Sequence, residues 1–203
     1  MAEFRAGALK CPDTPAEQDP SMNIFASSPD PAESARALDD RRLNKMIVES
    51  AQILCTALHL NGCAAAGLYR RAYASHPVVR WVAGDPRNFA WVFRHFAALL
   101  EERCFRTGKA EHASSRLLPV LTSFVTTTRP PDGFVNCTPH KEVADVHAAY
   151  RATLAGKWAR DDPRPTWLKR GPPAFARSVI PRRPPSQRSA AVRPARPRRT
   201  DSR

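Results

Sequence analysis

From Asp39 to Leu60 the chain reads DDRRLNKMIVESAQILCTALHL. Leu43, Met46, Ile47, Leu54, Ala57 and Leu58 recur there at three- and four-residue spacings, the repeat that gathers apolar side chains on one helical face. Asp39 or Asp40 supplies the N-cap, and Asn61-Gly62 supplies the stop. The spacing predicts one long amphipathic helix, and the rest of the fold is read outward from it.

On the amino-terminal side, Asn23 to Ala26 is expected to form a short strand. Ser28, with Pro31 just inside, is expected to open a short helix through Leu38. On the other side, Ser75-His76-Pro77 begins a short helix to Val82. Asp85-Pro86 then starts a long one ending at Thr107-Gly108, with Phe89, Val92, Phe93, Phe96, Leu99 and Leu100 as its apolar stripe. A third long helix is expected from Glu142 to Trp158. Beyond it Pro163 and Pro165 enforce an extended end, RPTWLKRGPPAF, over 164–175. The expected class is therefore mainly α: one compact helical domain over 22–175, between disordered extensions at 1–21 and 176–203 that are rich in Pro and lack apolar periodicity.

The chain has 203 residues and a formal net charge of +13. Residues 176–203 hold nine Arg and one Asp, while 1–21 are net acidic, which leaves 22–175 at +7. A domain basic in its own right favours a polyanion, and nucleic acid is the expected partner, although charge alone does not separate DNA from RNA or an anionic membrane. The arginine-rich tail reads equally as solvated coil or as a nonspecific DNA tether. No run approaches the roughly 18 apolar residues that span a bilayer, and the first twenty residues lack a secretory apolar segment. A cytoplasmic monomer without cofactor is expected. The five cysteines form no CxxC pair, so reduced thiols are expected rather than a disulfide framework. Cys55, His59 and Cys63 recur every four residues, but Gly62 should end the helix before they complete a face, and no metal site is expected.

The long helix carries a second, polar stripe: Lys45, Glu49, Gln52 and Thr56, with Arg42 beside Lys45. By periodicity alone it reads as a solvated face with one i,i+4 ion pair.

Residues 22 to 175 include MNIFASSPDPAESARALDDRRLNKMIVESAQIL, SHPVVRW, NFAWVFRHFAALLEERCFRTGK and RPTWLKRG. These stretches resemble the pyrimidine-dimer DNA glycosylase family of the endonuclease V type, particularly its phage and bacterial relatives. The resemblance implies a helical DNA base-excision enzyme. In the family a helix carries a basic residue followed seven positions later by the catalytic glutamate, and Arg42 and Glu49 hold those places. A carboxy-terminal Arg-Pro-Thr-Trp motif with a following Lys and Gly is matched by Arg164, Pro165, Thr166, Trp167, Lys169 and Gly171. That segment lines substrate in the family, but here Leu168 and Arg170 replace expected tyrosines. The family's nucleophile is the amino group of a terminal threonine exposed by removal of methionine. No such threonine is present, and were translation to start at Met22, the bulky Asn23 would discourage methionine removal. Either another amine or water must attack.

Lys45, one turn from Glu49, is the candidate amine, since a lysine can form the imine of a lyase step. Glu49 is the candidate carboxylate, because glycosidic cleavage builds positive charge on the sugar. His76, Trp81, Asn88, His95, Lys109 and His112 lie in the similar segments and are candidate substrate or DNA contacts. Arg41, Arg42, Arg94, Arg106, Lys169 and Arg170 are candidate phosphate contacts, and Trp167 is a candidate substrate-lining side chain. The expected function is cleavage of the N-glycosidic bond of a damaged or modified pyrimidine, with or without lyase activity. Base modification on the same fold and noncatalytic nucleic-acid binding stand as alternatives.

Overall fold

The computed structural model describes residues 22–109 and 111–177. Six helices follow in order: α1 Pro31–Ala37, α2 Asp40–Leu60, α3 Pro77–Gly84, α4 Pro86–Thr107, α5 Leu118–Thr122 and α6 Val146–Arg160. Short 3-10 turns lie at Ala113–Leu117 and Ala174–Ala176. Among the described residues there is no strand, and the molecule is helical as expected.

The caps explain where the helices begin. Asp39 accepts from the Arg41 and Arg42 amides at the head of α2, and Asp85 from Arg87 at the head of α4, each satisfying N–H groups that the helix itself cannot. The His76 ring accepts from Val78 N–H and caps α3. Gly108, at φ +70°, terminates α4 in the left-handed conformation that glycine adopts without a Cβ penalty. Asp30 caps α1 in place of the expected Ser28, whose hydroxyl instead donates to Glu33. Asp145 caps α6, so that helix starts at Val146 rather than Glu142.

α2 and α4 pack side by side as the centre of the fold and run antiparallel. At one end Asn61, just past α2, donates to Ala83 in α3, next to the start of α4. At the other, Arg106 near the end of α4 reaches Asp40 at the start of α2. The expected apolar faces meet between them: Leu43, Met46, Ile47, Leu54, Ala57 and Leu58 are buried, with Phe89, Val92, Phe96 and Leu99 opposite. Phe93 and Leu100 are half-buried at the edge of this core. Each large apolar side chain enclosed this way contributes roughly 1.5–3 kcal/mol.

The segment Met22–Ser27 is the main departure from expectation. It is buried, but it is no strand, because Phe25 takes a positive φ of 42°. The Asn23 side chain closes the bend by accepting from Phe25 N–H, and Ser27 N–H returns to Phe25 O. Two of its carbonyls bond to α6, where His147 pairs with Ala26 O and Arg151 donates to Ser27 O.

The carboxy-terminal motif docks on the head of α2. Thr166 hydroxyl and Leu168 N–H donate to Asp40, and Trp167 Nε1 donates to Ala37 O. Trp167 meets Trp158 edge to face, and Phe175 stacks on Trp158. Order extends past the expected boundary, since Ala176 is buried. The disorder expected of 1–21 and of the remainder of the tail lies outside the described residues.

Candidate active site

Glu49 lies midway along α2, and its side chain is only 14% exposed. Two groups hold it. Lys45 Nζ sits 2.9 Å from Oε1, one helical turn away, and the Asn23 amide donates to Oε2 across 3.2 Å. Burial pushes the Glu49 carboxyl up from its usual range, against the opposing pull of Lys45, the Asn23 amide and the more distant Lys157. The result is a carboxylate fixed in orientation and poised to exchange a proton.

Asn23 also forms one wall of a cleft of about 460 Å³, a size suited to a nucleotide. The opposite walls come from His76 at the head of α3, the loop 136–141, and Thr153, Gly156, Lys157 and Arg160 on α6. Its charged lining residues, Lys141, Lys157 and Arg160, are all cationic. The loop is braced from within: Asn136 accepts from Thr138 and donates to His140 O, while Lys141 Nζ donates to Asn136 O. The concavity is basic and suits an anion, and the shielded Glu49 carboxylate joins its wall through the Asn23 amide.

The polar stripe of α2 divides in two. Lys45 and Glu49 pair with each other and are linked to the cleft through the Asn23 amide, whereas Gln52 donates to Arg70 O and the Thr56 hydroxyl accepts from Ala72 N–H. The second pair is no solvated face, because Thr56 is fully buried and both side chains pin the loop before α3.

Several candidate contacts are engaged elsewhere. Arg42 is buried in ion pairs with Asp39 and Asp161. Arg106 is enclosed completely and bonds Glu102, Asp40 and two carbonyls. Asn88 is buried and donates to Trp81 O. His95 is enclosed, stacked on Trp91 and paired with Pro31 O. Trp167 is buried against Ala37 and Trp158. These five are engaged in the core and its ion pairs, and all are buried, at odds with the DNA or substrate contacts expected of them.

The others remain at the surface. Arg41 is exposed although paired with Asp161, and Lys109 and Lys169 are exposed. Arg94 is half-buried beside Thr128 O. Arg170 lies over the Phe105 ring and pairs with Glu102. His112 caps the 3-10 turn at Ala113. Trp81 is half-buried, packs on Phe134 and donates to Gly133 O, as a core side chain does. His59 directs both ring nitrogens to the carbonyls of Cys63 and Tyr69, and among the described residues no group of three or more metal-ligating side chains forms.

Only His76, of the proposed contacts, lines the cleft; Asn23, loop 136–141, Lys157 and Arg160 were missed by sequence reasoning. A signal existed for α6 alone, where two cations three residues apart, Lys157 and Arg160, stand in its last turn. Among the described residues no helix is long and apolar enough to cross a membrane. No curated protein and no solved structure matches the chain. The model of the pyrimidine dimer DNA glycosylase family matches residues 22–115, from the segment bonded to Glu49 through α4 to the 3-10 turn after it, and over that stretch the chain is similar to that family.

Proposed function

We propose that this protein excises a damaged or modified pyrimidine from DNA by cleaving its N-glycosidic bond, with Glu49 as the essential carboxylate. The observation that carries this reading is the shielding of Glu49 behind Asn23 at a basic, nucleotide-sized cleft, in a chain with this family match. The sugar C1′ is poorly accessible inside stacked duplex, so the target nucleotide leaves the stack and enters the cleft. There Lys141 and Arg160 meet its phosphates, and Arg41, Lys109 and Lys169 hold the flanking backbone.

As the C1′–base bond lengthens, positive charge grows on the sugar, and the fixed carboxylate of Glu49 stabilises it. Lys45 positions that carboxylate through their 2.9 Å contact. We assign it this role rather than attack on the sugar, since the ion pair with Oε1 favours its protonated, non-nucleophilic form.

The test is incubation with duplexes bearing pyrimidine dimers, uracil, oxidised pyrimidines or hypermodified thymines, followed by mass analysis of released bases. Release from at least one is expected, and it should fall by about 10²-fold or more in Glu49→Gln with DNA binding retained. Release from none, with binding intact, would replace this reading with noncatalytic binding. A base altered but still attached would replace it with base modification.

A further inference from the structure

Excision through an enzyme-bound intermediate needs an amine that reaches C1′ while unprotonated. Lys45 is a poor fit, being 58% exposed and held against Glu49 Oε1. Lys141, at the cleft's loop wall, is exposed and spends its Nζ on Asn136 O, and a third lysine of this neighbourhood stands on α6. Lys157 lines the cleft itself, its side chain is half-buried, and no carboxylate oxygen of the described residues lies within 4 Å of its Nζ. It also acts electrostatically on Glu49, and Asn23, whose amide bonds the Glu49 carboxylate, lines the same cleft.

We propose that Lys157 is the amine that attacks C1′, working from the α6 wall of the cleft with Glu49 as its proton acceptor. This rests on the excision reading above. The surroundings of Lys157 suit the role. Burial lowers its pKa, and the neighbouring cations Arg42, Lys45 and Arg160 lower it further, while Asp161 alone opposes them. Each of these favours the neutral, nucleophilic form. Lys157 and its helix also lie outside the stretch matched by the family model.

In the reaction the Nζ lone pair forms a bond to C1′ as the C1′–base bond breaks. The electron pair of that bond leaves with the base, which takes a proton from solvent. Glu49 accepts a proton from the attacking nitrogen. The C1′–O4′ bond then opens, O4′ takes up the proton held by Glu49, and a protonated imine joins Lys157 to the sugar. On DNA that already carries an abasic site, the same nitrogen adds to the C1′ aldehyde, water leaves, and the same imine forms.

The second route gives a test that needs no knowledge of the target base. The full-length protein is mixed with duplex DNA containing one abasic site and treated with borohydride, whose hydride reduces the imine carbon to a stable secondary amine. The adduct is then digested and its peptide sequenced by mass spectrometry. The sugar remnant is expected on Lys157. Lys157→Arg keeps the charge but offers no comparable nucleophile, so trapping should drop by about tenfold or more while affinity for abasic DNA stays within about twofold.

Four outcomes would overturn the assignment: an adduct on Lys45, undiminished trapping in Lys157→Arg, no adduct from protein that binds the abasic duplex, or an adduct on a terminal amine. The last would arise in a chain opened before Asn23, whose nitrogen also faces Glu49. Failure of the excision reading would show separately, as absence of base release from every modified duplex or as full activity in Glu49→Gln.

Discussion

The backbone amide of Asn23 donates to Glu49 Oε2 across 3.2 Å, joining a bent segment at the edge of the domain to the middle of α2. A backbone donor does not rotate away as a side chain does, so one carboxylate oxygen is fixed by the fold. The other is fixed only by an exposed lysine, and the two contacts should differ in consequence.

Removing the lysine should therefore shift the pH profile of the carboxylate more than abolish its action. Lys45 lowers the Glu49 pKa by hydrogen bond and charge, while burial raises it. In Lys45→Met the burial is left less opposed, so the Glu49 pKa rises further. If base release requires ionised Glu49, the acidic limb of its pH profile moves to higher pH, and activity returns as pH rises. Rates measured from pH 5 to 9 check this. An unshifted acidic limb would separate Lys45 from the carboxylate.

Arg42 should behave as a stability residue. Its side chain is 10% exposed and bridges Asp39 and Asp161, and Asp39 also accepts from Trp158 Nε1. Arg42→Ala leaves the buried Asp39 without its cation and Asp161 with Arg41 alone, and ties α6 less firmly to α2. The cost should be about 3 kcal/mol, the usual scale for breaking a buried ion pair from one side. Urea denaturation measures it, and unchanged DNA affinity of the folded variant would confirm that Arg42 does not contact phosphate.

The contrast between Arg42 and α2 itself shows what was legible in the sequence. Helix α2 and its apolar face are local properties, set by three- and four-residue spacing and by caps adjacent in the chain, so they could be read directly. Glu49 was singled out by the family resemblance, since periodicity alone reads its stripe as a solvated face. That Arg42 points inward depends on Asp161, 119 positions away, and no local pattern announces that pairing. The bend at Phe25 is equally silent, because its positive φ is sustained by contacts with α2 and α6. Loop 136–141 has no periodicity at all. The cleft thus arises where four segments distant in sequence meet, and of its lining only His76 was named beforehand as a contact.

Acid should destabilise the domain through His95. The ring is enclosed, and burial, partly offset by backbone carbonyls, lowers its pKa from 6.5 to about 4. An unfolded chain binds that proton below about pH 6.5 while the native state does not. The contribution is therefore complete above pH 6.5, declines as pH falls from 6.5 to about 4, and changes no further below that. The loss across this window should be up to about 3 kcal/mol. His95→Gln removes the titrating group, so its stability should fall less steeply between pH 6.5 and 4.5, however much the substitution costs at neutral pH. Parallel denaturation curves for the two proteins across that window would show that His95 ionises freely in the fold.

Binding to DNA should draw on both the helical domain and the tail, in separable ways. Residues 178–203 carry eight arginines, while residues 22–175 keep a net charge of +7 of their own. Each cation that neutralises a phosphate releases counterion, and for duplex DNA the slope of log K against log salt changes by about 0.9 per phosphate. Deleting 178–203 should weaken affinity at low salt and make the slope shallower by several such increments. A slope should nonetheless remain, contributed by exposed cations such as Arg41, Lys109 and Lys169 and by the cleft residues Lys141 and Arg160. Titrations at four salt concentrations with an undamaged duplex and with an abasic duplex separate the contributions. The deletion should weaken both duplexes by a similar factor, because a tail without a site reads only phosphate, and the preference for the abasic duplex should survive in the domain. A deletion variant that fails to bind either duplex at low salt would show that the helical domain has no intrinsic DNA-binding face.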